Sequence, residues 1–180
     1  MSLIYDRQYF ENMSTREIEE WIIENKKELV GSAIFTANNS FTSKIVRWAE
    51  NWGNKNKKEF TPSHTGSIVK ENSEIVVFDM KPIRAKTTPL LDYLIFTNDD
   101  FVIIINDFKL NKKIFSNDIL EYVGRFYPYM SAVRSIFNKR NTKWARHCSE
   151  IHLRALQKQD IYSGINPEIT PEELWHLMID

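Results

Sequence analysis

Two β-rich runs, residues 64–70 and 74–80, are separated only by Glu71-Asn72-Ser73. A gap that short between two extended segments is closed by a hairpin. The chain is therefore committed to an antiparallel sheet. Phe101–Asn106 is a continuous apolar run with three isoleucines, too short for an ordinary helix and right for a buried strand, and it is expected at the centre of that sheet. Ala33-Ile34-Phe35, just ahead of the polar turn Asn38-Asn39-Ser40, predicts another short strand.

Helices are expected around the sheet. Ser14 and Glu17 have capping-box spacing, and Ile18, Trp21, Ile22 and Leu29 follow at near-helical intervals, so a helix over about 15–29 ends before Gly31. Ile45, Trp48, Ala49 and Trp52 repeat the helical stripe, and residues 53–59 have almost nothing to bury and read as an exposed loop. Thr88-Pro89 is expected to start a short helix, and Ser116 to cap a helix carrying Ile119, Leu120 and Val123 that ends near Gly124. A longer helix is expected to begin near Cys148. Thr170, Pro171 and Glu173 supply an N-cap, a first-turn proline and a capping-box glutamate for a last helix bearing Leu174, Leu177 and Met178. There is no internal repeat. The reading is one α+β domain over residues 1–180, a central antiparallel sheet packed by helices, with residues 1–29 as an N-terminal helical extension.

Composition excludes several classes of function. Lys plus Arg is 24 and Asp plus Glu is 24, so there is no net basic field to gather nucleic acid. The longest purely apolar run, residues 101–105, is far short of the ~20 residues a membrane helix needs. Asp6, Arg7, Glu11 and Arg16 come before any apolar stretch, which argues against a signal peptide. A cytoplasmic protein is expected, with its oligomeric state open. The one cysteine, Cys148, cannot form an internal disulfide and is a candidate nucleophile if a histidine can reach it.

A thiol attacks as thiolate, and a helix N-terminus with a nearby imidazolium lowers its pKa from about 8.5 by several units. Cys148 is expected at such a terminus; the plainer alternative is a small buried hydrophobe, the commoner fate of a free cysteine. His152, at i+4, could meet it on the helix, whereas the adjacent His147 points away. His64 lies where a polar loop, Pro62-Ser63, runs into a strand, so its imidazole can project from a rigid edge. Asp79 stands near the end of the second run, where antiparallel pairing can bring its carboxylate beside His64; otherwise it would pair with Lys81 or Arg84 at the surface. Together Cys148, His64 and Asp79 would supply nucleophile, base and orienting acid. His147, Cys148 and His152 offer a weaker metal-ligand set with no matching second cluster. No cofactor is implied.

An ordered set of stretches carries a family resemblance. A Gly31-Ser32-Ala33-Ile34-Phe35 strand precedes Ser43-Lys44-Ile45-Val46-Arg47-Trp48; then comes Ser63-His64-Thr65-Gly66 with a strand ending in an acid; later come Tyr127-Pro128-Tyr129, Cys148-Ser149-Glu150 and Thr170-Pro171-Glu172-Glu173-Leu174. In this order they resemble the permuted papain-like hydrolases of the YaeF/YiiX type, relatives of the NlpC-type peptidases, over about residues 30–178. The histidine-before-cysteine order is the permutation. The chain departs from the pattern at Asp79, where such relatives usually carry Glu, and at Ser67, in a strand position that is usually apolar.

The resemblance implies a circularly permuted papain-like fold and a cysteine hydrolase. Cys148 would attack an amide carbonyl of a peptide, isopeptide or cell-wall peptide, His64 would shuttle the proton, and water would release the acyl-thioester. The Cys148 backbone N–H would donate to the oxyanion. The alternatives are a lipid ester hydrolase or acyltransferase on the same fold, or a catalytically silent binding module. Trp48, Trp52, Tyr127, Tyr129 and Trp144 are candidates to line an apolar cleft, though aromatics at such spacings more often fill core.

Overall fold

The computed structural model describes residues 2–37, 60, 62–80, 84–125 and 143–179. The segments expected to hold the turn at Asn38, the second helical stripe, the 53–59 loop and the Tyr127-Pro128-Tyr129 loop lie outside the described residues.

Six strands, β1 (Leu3–Asp6), β2 (Ala33–Ala37), β3 (His64–Glu71), β4 (Glu74–Met80), β5 (Ala85–Pro89) and β6 (Asp100–Ile105), form one antiparallel sheet in the order β1-β6-β2-β3-β4-β5. The described helices are α1 (Arg7–Glu11), α2 (Thr15–Glu24), α3 (Lys26–Leu29), α4 (Leu90–Phe96), α5 (Lys112–Leu120), α6 (Lys143–Gln157) and α7 (Pro171–Ile179). The mixed α and β architecture and the antiparallel sheet are as the residue pattern predicts.

The strands alternate with period two, and their two faces feed separate cores. Ile34, Ile68, Ile75, Val77, Phe101 and Ile103 pack with Phe10, Ile18, Trp21, Leu29, Leu90 and Leu94 from the helices α1 to α4. On the other face Val69, Val76 and Phe78 meet Phe115, Ile119, Ile151 and Ala155 of α5 and α6, while Phe35, Val102 and Ile104 meet Leu153, Leu174 and Met178 of α6 and α7. The sheet is thus covered on both sides. That explains why β2, β4 and β6 read as largely apolar runs rather than alternating ones.

Several local expectations hold. Ser14 caps α2 in a full capping box, and Thr170 and Glu173 exchange hydrogen bonds of 3.1 and 2.6 Å at the start of α7. The helix expected over 15–29 is broken at Asn25, whose Nδ2 donates to Trp21 O. The hairpin is tighter than expected: Glu71 pairs with Glu74, leaving a two-residue turn with Asn72 and Ser73 at φ 45° and 75°.

Three expectations are corrected. Residues 1–29 are not purely a helical extension, because β1 adds an edge strand beside β6; β6 therefore sits between β1 and β2, and the middle of the sheet is β2 and β3. The short helix expected at Thr88-Pro89 does start there: Pro89 closes the edge strand β5, where a proline is tolerable, and is the N-cap of α4, which begins at Leu90. Asn111 rather than Ser116 caps α5; Ser116 lies within that helix, where its hydroxyl accepts the Lys70 N–H at 3.0 Å. The long helix begins at Lys143, so Cys148 is its sixth residue rather than its first turn.

Candidate active site

His64 is the first residue of β3, and the chain reaches it through a clamp onto β2. Ser63 N–H donates to Thr36 O at 2.9 Å, and Thr36 is the Cα partner of His64 across the β2–β3 ladder. The imidazole root therefore sits on the rigid end of a central strand. Extending the β3–β4 register by one step sets Asp79 opposite Gly66, on the same face as His64 and diagonal to it. Gly66 allows this close packing: a Cβ there would lie 2.8 Å from both Ile34 Cγ2 and Val77 Cγ1 and 3.3 Å from Phe78 O.

The three residues singled out from the sequence come together. Asp79 Oδ1 hydrogen-bonds His64 Nε2, and His64 Nδ1 lies 3.4 Å from Cys148 Sγ. Asp79 is not the surface ion-pairing residue of the alternative reading, since it is only 1% exposed. His64 is the most open of the three, with its side chain 27% exposed, against 5% for Cys148. The layers meet here. Strand parity assigns His64 and Asp79 to the face covered by α1, α2 and α4, whereas Cys148 arrives on α6 from the opposite layer, at the end of the sheet where β3 begins.

Burial works against a charge on His64, yet its interactions with Cys148 and with the Asp79 carboxylate outweigh it and raise the imidazole pKa well above 6.5. Asp79 as the acceptor at Nε2 fixes that nitrogen as the donor, which leaves Nδ1 facing the sulfur. The 3.4 Å separation lets one proton pass between Sγ and Nδ1.

The position of Cys148 removes two expectations. The helix dipole acts mainly on the first turn, so a thiol at the sixth helical residue is governed by His64 rather than by a helix N-terminus. Its backbone N–H, past the first four helical N–H groups, is committed to the carbonyl four residues back and is no oxyanion donor.

Tyr93 is the neighbour that sequence reasoning missed. This α4 residue is 7% exposed, its phenol hydrogen-bonds the Thr36 side chain, and it lies within the fields of Asp79, Asp99 and Cys148. Burial first, and then those charges, push its ionisation upward, so the phenol stays neutral. In the sequence it was indistinguishable from the apolar positions Leu90 and Leu94 around it.

His152 is not the base for Cys148. It is fully buried, with Nδ1 2.9 Å from Ser67 Oγ. Among the described residues no group of three His, Cys, Asp or Glu could hold a metal ion. Trp48, Trp52, Tyr127 and Tyr129 lie outside the described residues, as do the side chains of Trp144 and His147. No described helix is long and apolar enough to cross a membrane. No model of a known protein family matches the chain, and no curated protein matches it either.

Proposed function

We propose that the chain is a cysteine hydrolase in which Cys148 is the nucleophile, His64 the general acid and base, and Asp79 the residue that orients and charges the imidazole. The observation that carries the reading is the chain of contacts from Asp79 Oδ1 to His64 Nε2 and from His64 Nδ1 to Cys148 Sγ, with the acid buried and the imidazole partly open. An isolated buried cysteine needs no such partners. A structural histidine needs no carboxylate behind it in line with a thiol.

The chemistry follows from the two ring nitrogens. Nδ1 takes the Sγ proton, and the thiolate forms a bond to the substrate carbonyl carbon. As the tetrahedral adduct collapses, the C–N bond breaks and the departing amine takes the proton from Nδ1, leaving a thioester on Cys148. Water then attacks the thioester while Nδ1 accepts its proton; the C–S bond breaks, and the acid and the thiolate–imidazolium pair are restored. Throughout, Asp79 keeps Nε2 protonated and stabilises the charged ring without itself taking the proton.

The order of strand, histidine, acid and cysteine along the chain, with the antiparallel sheet, supports a circularly permuted papain-like fold of the YaeF/YiiX type. Amide substrates, a peptide, isopeptide or cell-wall peptide, are the class this reading favours; lipid esters and acyl transfer use the same thioester. A panel of aminoacyl anilides and acyl nitrophenyl esters separates these classes, with intact-protein mass spectrometry following the adduct. The expected result is a transient acyl mass on the wild type, absent in Cys148→Ala and longer-lived in His64→Ala after forced acylation. A Cys148 that alkylates readily but never carries an acyl group would contradict the proposal and point to a binding module.

A further inference from the structure

One helical turn beyond the thiol is a second buried polar pair that the chemistry above does not use. Ser67 and His152 are 1% and 0% exposed, and Ser67 Oγ lies 2.9 Å from His152 Nδ1. The ring stands edge-on to Phe115, with centroids 5.3 Å apart, and its Nε2 has no hydrogen-bond partner among the described residues. Burying two polar groups for the sake of one hydrogen bond between them adds little to stability over an apolar pair of the same shape. What the hydrogen bond supplies is direction.

The neighbourhood shows what the pair supplies. Around it the α6–β3 seam is apolar, with Ile151, Ala155 and Leu156 packed in one core with Val69 and Phe78. Apolar contacts are non-directional and fix the sliding of a helix along a strand only weakly. A hydrogen bond fixes it. Cys148 precedes His152 by four residues, about 6 Å along a helix, and Thr65 precedes Ser67 by two, about 6.7 Å along a strand. Pinning His152 at Ser67 therefore sets Cys148 alongside the first residues of β3, where His64 stands.

We propose that Ser67 and His152 are a positioning pair, whose hydrogen bond holds α6 against β3 in the axial setting that keeps Cys148 Sγ within reach of His64 Nδ1. The inference rests on the reading of Cys148 as the nucleophile. Burial lowers the His152 pKa to about 3, so the pair adds no competing charge beside the Cys148–His64 couple.

The test replaces both groups by apolar ones, in Ser67→Ala/His152→Leu, and compares thermal unfolding with the rate of Cys148 alkylation by iodoacetamide from pH 5 to 9. The expected result is a midpoint close to wild type, with alkylation at pH 6 slowed about tenfold or more as Sγ moves out of reach of Nδ1. His152→Asn, whose side-chain amide can take the place of Nδ1, should restore most of the rate, a recovery that a merely space-filling role does not explain. If the double variant does not fold, Ser67→Ala is read by the same criterion. A folded variant alkylating with the wild-type profile overturns the positioning role alone. A wild type unreactive at pH 6 overturns the nucleophile reading and this inference with it.

Discussion

The carboxylate of Asp79 and the imidazole of His64 share one face of the β3–β4 hairpin, and Asp79 Oδ1 hydrogen-bonds His64 Nε2. A buried acid in this position decides which ring nitrogen carries the proton and how strongly the ring holds it. Asp79→Asn keeps the size of the side chain but removes the charge. It should lower the His64 pKa and slow acylation by roughly 10²- to 10⁴-fold, as expected when the partner behind a general-base histidine is lost. Histidine NMR titration and acylation kinetics on the same variant check both effects; an unchanged His64 titration would contradict the assignment.

The second partner of His64 makes a separate prediction. The Cys148 charge helps raise the imidazole pKa, so Cys148→Ala should shift the His64 titration midpoint downward. The sign for stability follows from linkage. The folded ring holds its proton above the unfolded value of 6.5, so this contribution is fully present below pH 6.5 and is lost as pH rises through the folded pKa. A His64 midpoint that does not move in Cys148→Ala would mean that the two groups are not coupled.

His152 predicts the opposite trend. Its folded pKa lies near 3 against 6.5 unfolded, so its contribution to stability is fully present above pH 6.5 and is lost as pH falls toward 3. The slope is about 1.4 kcal/mol per pH unit over that window. Urea unfolding at a series of pH values should show this slope in the wild type and a flatter dependence in His152→Leu. Equal slopes would place the acid sensitivity elsewhere.

The hairpin turn offers a stability prediction remote from the site. Asn72 and Ser73 both adopt positive φ, at 45° and 75°. A two-residue turn of this kind prefers glycine at its second position, and a side chain held in the left-handed region costs about 1 kcal/mol. Ser73→Gly should therefore raise the thermal midpoint by a few degrees without altering Cys148 reactivity. A lowered midpoint would mean that the serine side chain makes a compensating contact.

Sequence reasoning succeeded where the information is local. The 64–80 hairpin, the Ser14 and Thr170 capping boxes and the apolar β6 run are short-range signals, and hairpin pairing was enough to bring Asp79 toward His64. It failed where partners are distant or the pattern is faint. Strand β1 has only four residues, mostly exposed, and exists through pairing with β6 about a hundred residues on. The start of α6 escapes because the run of apolar helix positions is clear only from Ile151 onward, although Thr142, a cap-type residue, stands just ahead of Lys143. Ser67 and His152, 85 residues apart, carry no mutual signal. Each alone reads as an oddity in a buried run, and only the packing of α6 on β3 shows that they answer one another.

The central claim is that the 3.4 Å contact between Cys148 Sγ and His64 Nδ1 is a working proton-exchange pair. The measurement that tests it most directly is the rate of Cys148 alkylation against pH in the wild type and in His64→Ala. The account predicts that the wild type is alkylated readily at pH 6 and that His64→Ala is slowed there by about tenfold or more. A thiol unreactive at pH 6, or one indifferent to His64, would contradict it.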